Sequence, residues 1–240
     1  WYVHPLYFGL AIYYQKTNQE KSEKYYNLGN NETMKSLRYN SFNYQKNIGE
    51  IIDNYKNNFV NESFESEEGA NNIFILGTPR SGTTLIESII ASNDEVKSGG
   101  ELLSANKLIQ ELVDHKEQDV KKFVNYFHNK YLSRTKFIRG NYKCIVDKLP
   151  ENFLFLGYIT KILPKTKIIR TFRNPWDIAI SLYKQRYVTN IPYSASFFNI
   201  GVFMSNFEAI NTFWNEEMIG SENVLDVNYE KLVDDPDLYQ

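Results

Sequence analysis

Cysteine is nearly absent. Cys144 is the one thiol in 240 residues, so no internal disulfide can form and folding needs no oxidising compartment. Histidine is scarce too: His4, His115 and His128 lie far apart, and with a single cysteine they argue against a structural zinc site. Neither sign of charge dominates. The 27 basic and 29 acidic residues leave a net charge of −2 and are interspersed, which argues against a general nucleic-acid binder while leaving room for a local basic pocket. The longest apolar run, LYFGLAIYY at 6–14, falls far short of the roughly 20 residues a membrane span needs. The sequence opens on Trp1 rather than Met, as a fragment or processed product would, and the cytoplasm is a default location only.

What is present separates into three regions. At 42 % hydrophobic residues the chain can bury a sizeable core, in one main domain with an appendage. Residues 1–30 hold two short helical segments joined at KTNQE, with Leu6, Leu10, Tyr13, Tyr14, Tyr25, Tyr26 and Leu28 at helical spacing. This layout resembles one tetratricopeptide repeat, the last of an array; an ordinary helical hairpin is the plainer alternative. Residues 31–70 contain a helix around YQKNIGEIIDNYKNNF and then the acidic, glycine-marked VNESFESEEGANN, which reads as a solvated linker rather than a metal site.

From 71 to 240 strands and helices alternate. NIFILG, YKCIVDK and TKIIRTF read as buried strands, and GTTLIESIIASN, the span 102–134, ENFLFLGYITKIL and SASFFNIGVFMSNFEAINTFWNEEM read as helices. NPWDIAISLYKQRY opens a helix with Asn174 as its cap and Pro175 at the first helical position. The expected fold is α/β, a three-layer domain of the phosphate-loop kind around a parallel sheet, preceded by a short helical region. Ligands of such sheets lie beyond the carboxyl ends of the strands.

The motif IFILGTPRSGTTLIESII, 73–90, sits at such an end. Gly77, four residues, Gly82, Thr83 and Thr84 match a phosphate loop, except that Thr83 stands where a triphosphatase carries lysine. Strand, loop and helix in that order aim backbone N–H groups and the helix's positive end at one spot. Gly82 lets the backbone approach a ligand, the hydroxyls of Ser81, Thr83 and Thr84 add donors, and Arg80 adds a planar cationic fork. Loss of the lysine weakens the case for a triphosphate.

TPRSGTT resembles the 5′-phosphosulfate loop of sulfotransferases that use 3′-phosphoadenosine 5′-phosphosulfate (PAPS), and its arginine is similar to that of the tyrosylprotein sulfotransferase branch. The resemblance covers roughly residues 70–240 and implies further positions. In RNPWDIAIS, Arg173 follows a strand and Ser181 comes eight residues later, the pair implied to hold the 3′ phosphate. The branch has a basic residue four positions after that serine; here 185 is Gln, with Arg186 one further on. Glu101, in KSGGELLS, matches the catalytic glutamate; capping a helix starting near Leu102 is the plainer alternative. Lys148, in CIVDKLPENF, matches the lysine that steadies the leaving phosphate, with Asp147 as its supporting partner. Cys144 on that strand reads as core. Tyr229, in LDVNYEKLVDDP, matches a tyrosine lining the adenosine pocket, and the remaining adenine contacts are expected after residue 240.

The expectation is therefore a PAPS-dependent sulfotransferase acting on a hydroxyl, with protein tyrosine the acceptor of the closest branch and no metal required. Glu101 would be the base, and Arg80 and Lys148 would be the charge-neutralising groups. Two rivals stand beside it. One is a magnesium-dependent kinase or triphosphatase built on Asp147; the other is a repeat-scaffold interaction module with a vestigial nucleotide site. A protein partner could bind the helical start.

Overall fold

The computed structural model describes residues 3–36, 39–64, 66–115, 119–187, 191–218 and 221–239. The chain divides into two compact units, one of residues 47–173 and 209–240, the other of residues 1–46 and 174–208.

The larger unit is built on a five-stranded parallel sheet in the order β2-β3-β1-β4-β5. Its strands are β1 (Asn72–Gly77), β2 (Val96–Ser98), β3 (Cys144–Asp147), β4 (Lys167–Phe172) and β5 (Val224–Asn228). Side chains alternate between its faces, as strand geometry requires. Ile73, Ile75, Val146, Ile169 and Val227 pack on one face with Ile86 and Ile90 of α4 (Thr83–Ile90) and Leu232 of α11 (Tyr229–Asp234). Phe74 points to the other face and stacks on Tyr131. Helices on both faces explain why the strands read as continuous apolar runs rather than alternating ones. The α/β class and the parallel sheet expected from the sequence are present.

Details differ where local sequence is ambiguous. β2 has no signature in the sequence, because its three half-polar residues, VKS, carry almost no pattern. The helical span 102–134 is three helices: α5 (Leu103–Asp114), α6 (Val120–Phe127) and α7 (Ser133–Arg139). Asp119 caps α6 by accepting from the Lys122 N–H, and a π turn, His128–Leu132, links α6 to α7. That turn brings Phe127 and Tyr131 inward together, stacked at 5.2 Å. ENFLFL opens as a 3-10 turn, Pro150–Phe155, and becomes α-helical only at α8 (Leu156–Ile162).

The smaller unit contains α1 (His4–Tyr14) and α2 (Gln19–Ser36), joined by a short turn, together with α9 (Pro175–Lys184). Phe8, Ala11 and Tyr26 form its core, with Tyr25 and Tyr183 packed against them. The expected cap of α9 is made: the Asn174 side chain accepts from the Trp176 N–H at 2.9 Å. The division between the units falls within α3 (Ser41–Asn58) and α10 (Phe197–Glu217). Among the described residues no helix is long and apolar enough to cross a membrane.

Candidate active site

Strand order reverses at β1, the position where open parallel sheets hold their ligands. Each of the five strands ends on one of the residues singled out by the sequence: the phosphate loop after β1, Glu101 after β2, Lys148 after β3, Arg173 after β4 and Tyr229 after β5.

The loop carries two left-handed residues, Arg80 at φ 74° and Gly82 at φ 101°. At Gly82 a β-carbon would lie 2.5 Å from Tyr229 Cδ2, so the glycine serves both a conformation and a close approach. Gly82 precedes α4 without any side-chain cap. The first N–H groups of that helix, Thr83 and Thr84 among them, have no carbonyl within the helix to meet, which leaves donors for an anion. Thr83 is buried and Thr84 exposed. Ser81 braces the loop from within. Its hydroxyl donates to Thr78 O at 2.6 Å and lies 2.5 Å from Thr171 Oγ1, while its N–H also meets Thr78 O.

Arg173 folds onto this loop. Its Nη1 donates to Arg80 O at 3.1 Å, and its guanidinium lies 4.3 Å from the Tyr229 ring centre. Its buried Nε has no hydrogen-bond partner among the described residues. Arg80, Gly82, Arg173 and Tyr229, four residues from three separate motifs, thus share one corner of the sheet. Ser181 lies half-buried on α9 in the smaller unit.

A second cluster forms where β2 and β3 end. Pairing of the two strands continues beyond the sheet, with Gly99 N–H donating to Val146 O and Lys148 N–H to Gly100 O, each at 2.9 Å. A β-carbon on Gly99 would lie 2.6 Å from Val146 O, and Gly100 takes φ 66°. This glycine pair sets Glu101 beside Lys148, whose Nζ donates to Glu101 Oε1 at 2.7 Å. Glu101 caps no helix, since α5 starts after Leu102 with no side-chain cap. Nearby Glu151 has its carboxyl pushed up by burial, with its own backbone N–H opposing, the Glu101 charge adding and Lys148 opposing.

Asp147 is not the partner of Lys148. Neighbours on an extended strand face opposite ways, so Val146 and Lys148 look toward α4 while Asp147 looks toward Tyr131. The Tyr131 hydroxyl donates to Asp147 Oδ2 at 2.8 Å, and Asn152 Nδ2 lies 3.5 Å from Oδ1. Burial pushes the carboxyl up to about 7, with bonds from Tyr131, the Leu102 N–H and Asn152 pulling it back. A wholly enclosed carboxylate that already accepts these bonds is a poor magnesium ligand. Among the described residues no group of three or more His, Cys, Asp or Glu side chains is arranged to hold a metal ion.

Glu87, which no motif marks, joins this cluster. This α4 residue is buried, accepts from Ser98 Oγ at 2.7 Å and from the Gly100 N–H at 3.1 Å, and lies 3.9 Å from Lys148 Nζ. A signal existed: Thr83, Glu87 and Ile90 share one helical stripe, and a charge on a core-facing stripe needs a partner.

These features define an α/β protein with a candidate anion-binding corner at the switch point of its sheet and a lysine–carboxylate cluster beside it. Residues 72–239 match the model of the sulfotransferase family, and the chain belongs to that family. It is also 30 % identical over 186 residues to an uncharacterized protein of Aquifex aeolicus (strain VF5). That alignment takes in 69 % of this chain and 24 % of the relative, so the chain spans about a quarter of the relative's length.

Proposed function

We propose that the protein moves a sulfuryl group from PAPS to an acceptor hydroxyl. The observation that carries this reading is the contact of Arg173 with both the Arg80 carbonyl and the Tyr229 ring, next to the uncapped start of α4. An adenosine bearing phosphates at both ends needs cations from more than one strand end together with an aromatic wall, and that corner supplies both. A triphosphate held with magnesium would need the loop lysine that Thr83 replaces.

In this reading Glu101 takes the proton of the acceptor hydroxyl as its oxygen bonds to sulfur. The bond from sulfur to the 5′-phosphate oxygen breaks, and adenosine 3′,5′-bisphosphate departs. Lys148, Arg80 and the N–H groups of the loop neutralise the charge gathering on the departing phosphate. The pairing of Lys148 with Glu101 supports the assignment, because it brings the base and the cation to one point.

The arginine in the loop favours the tyrosylprotein-type branch, so tyrosine-containing peptides head the panel of acceptors. Calorimetry on the full-length protein should show adenosine 3′,5′-bisphosphate binding at least about tenfold more tightly than ATP, with or without magnesium. Equal affinity for the two nucleotides, or a requirement for magnesium, would overturn the reading. The helical start is proposed to be the end of a repeat array. Leu6, Leu10 and Tyr13 form an exposed stripe along α1 at spacings of four and three, which suits the face of another helical hairpin. Hydrogen exchange tests this, since α1 amides should be strongly protected in the full-length protein.

A further inference from the structure

We propose that Glu87 is a positioning residue. Its buried carboxylate fixes Lys148 relative to the phosphate loop, leaving Glu101 free to serve the acceptor. The inference rests on the sulfotransferase reading given above.

Three contacts carry it. Glu87 Oε1 accepts from Ser98 Oγ and from the Gly100 N–H, and so pins the 99–101 turn to α4. Glu87 Oε2 lies 3.9 Å from Lys148 Nζ. α4 is also the helix whose first turn forms the cradle, and Glu87 sits five residues after Gly82. One rigid helix therefore links the loop, the turn bearing Glu101 and the lysine.

The two carboxylates around Lys148 differ in kind. Side-chain exposure is 10 % for Glu87, 9 % for Lys148 and 57 % for Glu101. Glu101 reaches solvent and can turn to an incoming hydroxyl, whereas Glu87 is enclosed and held by two donors. When Glu101 leaves Lys148, or takes up a proton, Lys148 keeps one fixed negative neighbour. Without that neighbour a buried ammonium would follow Glu101 outward or lose its place near the bridging oxygen. Placement errors of this size at a reacting centre cost rate rather than nucleotide affinity.

The test is a double-mutant cycle in the full-length protein with Glu87→Gln and Lys148→Met, singly and together. Glutamine keeps an acceptor for Ser98 and Gly100 but removes the charge. The probes are PAPS and 4-nitrophenol, with release of adenosine 3′,5′-bisphosphate as the readout, which counts transfer to the phenol and to water alike. Calorimetry with the bisphosphate reports folding and the cradle. Glu87→Gln is expected to lower kcat about tenfold to a hundredfold with bisphosphate Kd within about threefold, and to cost less than about threefold in the Lys148→Met background. Should Glu87→Gln fail to bind the bisphosphate, Ser98→Ala replaces it. That variant removes one donor, leaves the charge, and should show a smaller loss with the same dependence on Lys148.

No loss of kcat, or an equal loss in both backgrounds, overturns the role of Glu87 while wild-type turnover leaves the functional reading standing. A wild type that neither binds the bisphosphate nor releases it from PAPS overturns that reading, and the role falls with it.

Discussion

Replacing Asp147 by Asn should change how stability depends on pH. The Asp147 carboxyl is held near 7 in the folded protein against an ordinary 3.8. Because the folded value is the higher one, the native state keeps a proton over the interval from about 4 to 7 while the unfolded chain releases it. Stability from this group is therefore greatest below 3.8, falls as pH rises through 7, and is flat above. Three pK units at roughly 1.4 kcal/mol each amount to a burden of about 4 kcal/mol at pH 8. At pH 5 the native carboxyl is protonated, and the burden is only about 2 kcal/mol. The amide of the variant cannot ionise, and its Oδ1 can still accept from the Tyr131 hydroxyl. Relative to wild type, the variant should gain between about 2 and 3 kcal/mol on going from pH 5 to pH 8. Urea unfolding of both proteins across that range measures the gap directly, since every other titrating group cancels. Curves that stay parallel would refute the argument and show that Asp147 ionises normally in its enclosure.

Other perturbations probe the two clusters. Glu101→Gln should retain bisphosphate binding within about threefold by calorimetry while PAPS turnover with 4-nitrophenol falls by about 10² to 10⁴; unaltered turnover removes Glu101 from the mechanism. Gly82→Ala forces a β-carbon toward Tyr229 Cδ2, 2.5 Å away, at φ 101°, and should weaken bisphosphate binding at least about tenfold in the same calorimetry. Arg173→Lys keeps the charge but loses the planar face against Tyr229, so a fluorescence titration should show affinity down by about tenfold, where a pure charge effect would leave it unchanged.

Strong local grammar made much of this legible. Gly77 and Gly82 between a strand and a helix marked where the loop lies, and Asn174 followed by Pro175 fixed the start of α9. What escaped was either too short or too non-local. β2 has three residues, and only its pairing with β3 gives it a direction. The donors to Glu87, Ser98 and the Gly100 N–H, lie eleven and thirteen residues onward. Asp147 was misread for a different reason. Adjacency in sequence suggested adjacency in space to Lys148, whereas an extended strand separates neighbours most widely. Alternation counted from Val146 would have put Lys148 on the α4 side and Asp147 on the other.

The missing loop lysine has a structural counterpart. A phosphate loop with a lysine carries its main cation inside the motif and can grip a chain of phosphates from one strand end. Here the cations come from three strand ends: Arg80 in the loop after β1, Lys148 after β3 and Arg173 after β4. Cations spread in this way suit a ligand whose charges are themselves spread, one group near the loop and another some distance away. Lys148 is held by two carboxylates, so its charge is partly balanced before a ligand arrives. Arg173 lies against a carbonyl and an aromatic ring, and neither balances its charge as a carboxylate would. In the proposed reaction the corner built on Arg173 would therefore be the one to favour a permanently charged group of the nucleotide. In the same proposal the balanced lysine would serve charge that appears only as the sulfur–oxygen bond breaks.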